Sequence, residues 1–439
     1  MNIKARRLIY LIFIVIFLIV APVIIMYTAG YRYNFQKGKV EQVGVLFINV
    51  LPKDAQILIN NGLQTNTRPL RLSDLRPNYY DVKIIKDGYY DWEKNLEVKN
   101  KASTLAYDVV LFKKSSPTKM ADGGTQTAMI SPTGDLLAFV NTEGVWKKDI
   151  SKDVPQLIWP KQNLDAEKIT WSENEKKIIL KTKENNFYII ETSGNTEPLY
   201  LNGLIVSIQK TFFDSTGNNI FVLSDNELYK VELDNKQSEK ILSGIKDFQM
   251  IKRDIYIIKN DPQNSLVYKY NSLGFFNNTT LLGKLPLGHY QLQELKNNFL
   301  TVQGQNQIYL IDISSGQQPI LTLSGDKSTW GEGEKNNFLY YLDKQELWIF
   351  DPIIRKNYML NRFDKDIENV FPVYNAPYFI LKVNQNIYLS ELDDRDKRQN
   401  NTLFQGRDIK NLQIDRDGKN IYFLDRLKNG YELFKLEIQ

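Results

Sequence analysis

The sequence predicts an all-β protein held on one N-terminal transmembrane helix, with a small β domain first and a closed set of short-stranded sheets after it. Three observations predict this. Residues Leu8 to Tyr27 form an apolar run without a charge. Residues 42–113 alternate short β-branched strands with Asn/Gly and Asp/Gly turns. From about residue 117 onward, one strand pattern returns about every forty residues.

The apolar run reads LIYLIFIVIFLIVAPVIIMY, in which 15 of 20 residues are Leu, Ile, Val or Phe. On an insertion scale those residues contribute roughly −5 to −9 kcal/mol. Twenty residues at about 1.5 Å rise span the hydrocarbon core, and Pro22 lies near the distal end, where a kink is tolerated. Lys4, Arg6 and Arg7 precede the span, so residues 1–7 are expected in the cytoplasm and the bulk of the chain outside it, on a plasma membrane. Arg32, Lys37 and Lys39 follow the span and weaken that asymmetry. The alternative is a cleaved signal peptide. Its apolar region would be about 7–15 residues with a small-x-small site, whereas Tyr27-Thr28-Ala29 puts a bulky residue where a small one is needed.

Composition narrows the function classes. The 439 residues leave room for two or three domains. Apolar residues at 42% and charged residues at 24% fit a folded chain. A net charge of +5 over this length is too mild for a nucleic-acid groove. With no Cys and a single His, disulfides, thiolate metal sites, Cys nucleophiles and multi-His centres are excluded, and no cofactor or metal is expected.

Residues 28–41 are polar and aperiodic and read as a stalk. In the next stretch, Val45 to Val50, Gln56 to Ile59, Tyr79 to Ile85, Trp92 to Val98 and Ala106 to Phe112 read as strands. Asn60-Asn61-Gly62 and Lys86-Asp87-Gly88 read as turns. Residues Gly44 to Val98 resemble the PEGA domain, through Val50-Leu51-Pro52-Lys53-Asp54-Ala55-Gln56-Ile57, Asn61-Gly62, Thr67-Arg68-Pro69-Leu70, Leu75-Arg76-Pro77-Asn78-Tyr79 and Gly88-Tyr89-Tyr90-Asp91-Trp92. Two central positions of the naming tetrapeptide differ, and Asn78 stands where the family usually has Gly, a replacement that suits a left-handed turn. The resemblance implies a small extracytoplasmic, β-sandwich-like module for attachment or recognition. It transfers no active-site residue.

The repeat is marked by one aromatic in an apolar strand. It recurs as Val145-Trp146, Phe187-Tyr188, Leu228-Tyr229, Val267-Tyr268, Ile308-Tyr309, Leu347-Trp348, Ile387-Tyr388 and Leu433-Phe434, and each follows a second apolar strand. Strands at this period predict a β-propeller, because one four-stranded sheet cannot cover both its faces and neighbours around a ring can. Eight markers suggest eight blades, with seven plus an irregular unit as the alternative. The last unit reaches Gln439 just after its third strand, so its fourth is expected from Ser116 to Ala121. The phrase Ile130-Ser131-Pro132-Thr133-Gly134-Asp135-Leu136-Leu137-Ala138-Phe139 resembles the WD40-like repeat of TolB-type propellers, and Asp214 to Val222 and Asp415 to Leu424 are weaker copies. That resemblance implies a platform for proteins or glycans.

Chemistry-bearing motifs are sparse. There is no G-x-S-x-G elbow, P-loop, G-x-G-x-x-G or H-E-x-x-H. His289 stands without a nucleophile motif and reads as structural. Asp415 to Asn420 begins like a calcium loop but lacks the closing Glu, so a blade turn is expected. Asp393 to Arg398 reads as a solvated loop tip, Asn277 and Asn400 as chance glycosylation acceptors, and Trp159, Trp171 and Trp330 as blade packing rather than sugar platforms. A carboxylate pair in the funnel, the requirement of a glycosidase, leaves no trace in spacing. The expectation is therefore a non-catalytic, membrane-held platform for an envelope protein, glycan or polymer. A carbohydrate-active hydrolase and a TolB-like envelope assembly factor are the alternatives. No ligand-binding residue and no oligomeric state is assigned.

Overall fold

The computed structural model describes residues 3–35, 38–64, 69–121, 124–152, 154–271, 279–314, 319–428 and 430–439. The chain divides into two compact units, Met1–Lys114 with Asp393–Gln399, and Ser115–Leu392 with Asn400–Gln439. Thr67, Arg68 and Asn277 lie outside the described residues.

The first unit begins with the helix Ile3–Thr28. Its span Arg6–Thr28 is long and apolar enough to cross a membrane and buries none of its length in the protein. A helix that is apolar all round and covered by nothing fits a bilayer rather than a core. Gly30 ends it at φ +81°. Arg32 then clamps this end. Its guanidinium lies 3.6 Å from the Tyr27 ring centroid, donates to the Tyr27 carbonyl at 2.7 Å and pairs with Asp74 at 2.7 Å. The expected stalk is instead a hairpin, Tyr31–Asn34 paired with Lys39–Gln42. Its polar sequence hid the pairing because neither strand has a greasy face.

Two sheets follow. In one, Gly44–Leu51 is central, with Leu70–Leu75 antiparallel on one side and Ser103–Val110 parallel on the other. The second orders Gly62–Leu63, Gln56–Ile59, Asn78–Ile85 and Trp92–Val98. Strand Gly44–Leu51 alternates in burial, so Leu46, Ile48 and Val50 enter a core with Ile57, Val82, Ile84 and Trp92 from the other sheet. Asn60 and Asn61 both take left-handed φ, at 46° and 65°, as a two-residue hairpin turn requires. Asn78 does not. It opens its strand, and the left-handed residue in this stretch is Asp74, at φ 62°.

Asp393 to Arg398, expected as a solvated tip, instead lies within the segment Asp393–Gln399 that packs in the first unit. Lys94 is the reason. It shares the inward face of its strand with Trp92, Leu96 and Val98 and is fully buried. Its Nζ donates to the carbonyls of Asp393 at 2.9 Å, Arg395 at 3.0 Å and Lys397 at 2.7 Å. An ammonium has three N–H donors, and these three carbonyls take them all. Arg395 adds a bond to the Leu105 carbonyl, and Gln399 one to that of Glu93.

Among its described residues, the second unit contains eight four-stranded sheets. Numbered in chain order, sheets one to seven each run through four consecutive strands. Sheet eight takes its outer strand, Thr118–Ala121, from the other end of the unit, in register Thr118 with Lys435. That is the closure expected from the sequence. The markers all fall on third strands, such as Gly144–Asp149 and Glu346–Asp351. The apolar member of each pair is fully buried, for example Val145, Leu228 and Ile387 at 0% exposure. The aromatic sits farther out: Trp146 stacks on Phe139 of its own sheet, and Trp348 on Tyr341. In sheets one, three, four, six and seven a bulge toward the fourth strand falls between the two marker residues. Apolar clusters join each sheet to the next, from Ala138 with Ile169 through Tyr340 with Phe379. Phe404 and Phe423 touch between sheets seven and eight, and Phe139 and Leu424 share the cluster between one and eight. The sheets therefore form a closed propeller. Past residue 120 the one helical element among the described residues is the turn Leu201–Gly203.

Candidate functional site

First strands of neighbouring sheets lie side by side, so they line the centre of the propeller. Their two ends open into two different cavities. The first is about 620 Å³ and lies at the C-terminal ends of first strands from sheets one, six, seven and eight. The second is about 830 Å³ and lies at the N-terminal ends of first strands from sheets three, four and five.

The larger cavity is built around one ion pair. Lys210 and Asp247 each follow a bulge at the start of a first strand, between Ile208 and Lys210 and between Ile245 and Asp247. A bulge redirects the next side chain, and here both turn toward each other across two sheets. Lys210 Nζ lies 2.8 Å from Asp247 Oδ1 and 3.0 Å from Oδ2. The Leu292 amide, from sheet five, donates to Asp247 Oδ2 at 2.6 Å. One carboxylate thus ties three sheets. Burial pushes the Asp247 carboxyl up and the Lys210 ammonium down, each against the attraction of its partner.

Around this pair stand Gln209, Asn226, Asn260, Gln291, Gln303 and Gln305, together with Lys246, His289 and Tyr290. His289 is exposed on this wall, so the lone histidine does belong to a cavity, with no nucleophile motif beside it. Tyr290 is fixed in place. Its hydroxyl donates to the Pro286 carbonyl at 2.8 Å, its ring meets Tyr309 edge-on at 5.6 Å, and a Cβ on Gly288 or Gly304 would sit 3.1 or 3.0 Å from that ring.

The smaller cavity carries Glu332, Asp415, Arg416 and Trp330. Asp415 is spent on its own turn: its Oδ1 accepts from the amides of Lys419 and Asn420, and its Oδ2 from Asn420 Nδ2. The same turn recurs at Ser131 and Asp214, each accepting from the amide of a left-handed glycine three residues on. A fourth copy, Ser172 to Glu175, has Glu175 at φ 58° where the others have Gly, and its carboxylate accepts from the Thr133 amide of sheet one at 2.7 Å. Nearby, Glu294 Oε1 accepts from the Trp330 amide at 3.1 Å. Protein crowded around this carboxyl pushes it up; Trp330 and Lys296 pull it back, and Glu332 adds to the rise.

The three tryptophans are held by the sheets. Trp171 donates to the Met129 carbonyl at 2.9 Å, Trp330 to Thr301 Oγ1 at 2.9 Å, and Trp159 packs on Tyr188 at 5.0 Å. Asn400 accepts from the Ser390 hydroxyl at the start of a fourth strand. Nothing in the sequence pairs Lys210 with Asp247, because two bulges in separate repeats bring them together. The available signal was a charged residue at the third position of each of these first strands.

Comparison with known proteins supports this architecture. Residues 43–115 match the PEGA domain family. No curated protein sequence matches the chain. Among solved structures, the C-terminal WD40 domain of Sif2 is similar at 11% identity and TM-score 0.52, covering 74% of this chain and 98% of that one. The Dos1 propeller is similar at 10% identity and TM-score 0.51, over 74% and 95%. At such identities the likeness concerns fold alone. The chain carries, in order, one apolar N-terminal helix, a PEGA domain and a WD40-like β-propeller.

Proposed function

We propose that this protein is a non-catalytic, membrane-tethered binding protein whose propeller presents its larger central cavity to an envelope partner. The observation that carries the reading is the chemistry of that wall. Its one carboxylate, Asp247, is already bonded to Lys210 and to the Leu292 amide, while amides, a lysine and a histidine line the rest. Such a wall can hold a ligand, but it has no free acid and base pair to cleave one. The helix supplies attachment. In the proposed orientation the basic tail lies in the cytoplasm, and the pairing of Arg32 with Asp74 cancels one of the positive charges that follow the span.

A photo-reactive residue placed at exposed Gln305 tests this in cells. The expected result is one discrete adduct in the membrane fraction, absent when the same residue is placed at Ser238 on an outer strand. Deletion of residues 8–27 should release the protein from that fraction. No adduct at Gln305 contradicts the reading.

A second reading, a carbohydrate-active hydrolase, draws on the raised carboxyl of Glu294 near Glu332. It predicts that any hydrolysis of oligosaccharides falls at least about 100-fold in Glu294→Gln, the range of a lost general acid. Equal turnover by the variant removes the reading.

A further inference from the structure

We infer that the larger cavity binds a neutral, hydroxyl-rich glycan segment; this rests on the binding role proposed above and names its ligand class. Three features of the wall lead there. The first is charge. Lys210 and Asp247 neutralise each other, which leaves one lysine, Lys246, with its Nζ 3.2 Å from Asn226 Oδ1, as the cation of this wall. A polyanion needs several free cations, and a cationic ligand needs free carboxylates. This wall supplies neither.

The second is its amides. Six carboxamides line the cavity, at Gln209, Asn226, Asn260, Gln291, Gln303 and Gln305. Gln209, Gln291 and Gln305 among them are exposed, and each carries both a donor and an acceptor. A sugar hydroxyl also donates and accepts, so a pair of neighbouring hydroxyls matches one carboxamide at two points. Gln303 serves the wall itself, with its Nε2 within hydrogen-bond reach of the carbonyls of Gly304, Gln307 and Gly325.

The third is shape and the apolar inventory. The cavity, at about 830 Å³, is large enough for a short oligosaccharide. A peptide would present its own amides equally well, but it also needs apolar pockets for side chains. The leucines of this wall, Leu223 and Leu292, are buried at 3% exposure and make no such pocket. Half-buried Tyr290, fixed by Tyr309 and the two glycines, adds an aromatic side chain to this wall.

Calorimetric titration of the full chain, in a detergent without a sugar headgroup, tests this. The neutral probes are cellohexaose, maltohexaose and chitohexaose, the anionic probe is hexagalacturonate, and the peptide probe is a Gly/Ser hexapeptide. At least one neutral probe is expected to bind. The double variant Gln291→Ala/Gln305→Ala, altered at two exposed positions, should weaken it at least tenfold with an unchanged circular dichroism spectrum. Ser238→Ala, on an outer strand, should leave neutral binding within twofold. The inference is overturned if no neutral probe binds, if the double variant binds equally, or if hexagalacturonate or the peptide binds more tightly. An adduct captured at Gln305 alongside silent neutral probes removes the glycan inference and keeps the binding role; loss of both removes both.

Discussion

Replacing Lys94 by Met is expected to free the segment Asp393–Gln399 and open it to trypsin. In the intact protein the carbonyls of Arg395 and Lys397, the residues after which trypsin cuts, are held by the buried Lys94 ammonium. Met keeps the length and apolar stem of the side chain but donates nothing, so three carbonyls lose their partner at once. A buried polar group left unsatisfied costs about 1–3 kcal/mol. Three such groups put the expected loss of stability in the first unit at roughly 3 kcal/mol or more. Lys94→Arg should not rescue it, because a planar guanidinium cannot aim three donors around one point. The measurement is the rate of cleavage at Arg395 and Lys397 under native conditions, with urea denaturation alongside. Unchanged protection in Lys94→Met would show that the remaining bonds, Arg395 to Leu105 and Gln399 to Glu93, suffice to hold the segment.

The second large effect is expected at Asp247. Asp247→Ala strands the Lys210 ammonium, whose side chain is only 25% exposed, and leaves the Leu292 amide without its acceptor. Breaking a buried pair from one side costs about 3–5 kcal/mol, and here the damage falls where sheets three, four and five meet. The double variant Lys210→Met/Asp247→Leu should recover most of that, since replacing both charges by apolar groups of similar volume is often neutral. A double-mutant cycle on the urea midpoint of the propeller checks both statements. A single variant as stable as the parent would mean that the cavity wall rearranges to let water reach Lys210.

The propeller was legible in the sequence because each repeat carries its own instruction. An apolar second strand and a marked third strand bury residues such as Ile178 and Val267 on both faces, and eight copies of one period leave little else to build. Even the donation of Thr118–Ala121 to the last sheet follows from counting strands. What escaped was set by partners distant in sequence. Strand Leu70–Leu75 is polar at every other position, broken by left-handed Asp74, and is recruited by its neighbour Gly44–Leu51. Lys94 interrupts an apolar alternation, and nothing in its own strand says that a segment 299 residues away will accept its protons. The ion pair in the larger cavity depends on bulges that shift two strands by one residue. Glu175 occupies a left-handed position that the other turns give to glycine, so that turn was passed over.

The pairing of Thr118 with Lys435 also sets a clock on biosynthesis. At about 5–20 residues per second, roughly 15–60 s separate the making of those two strands. Throughout that interval the nascent chain is an open arc with a bare sheet edge at its leading end, the kind of surface that recruits stray strands. Ribosome pausing within the final repeats would lengthen that exposure, and a chaperone acting on this protein would do most good there.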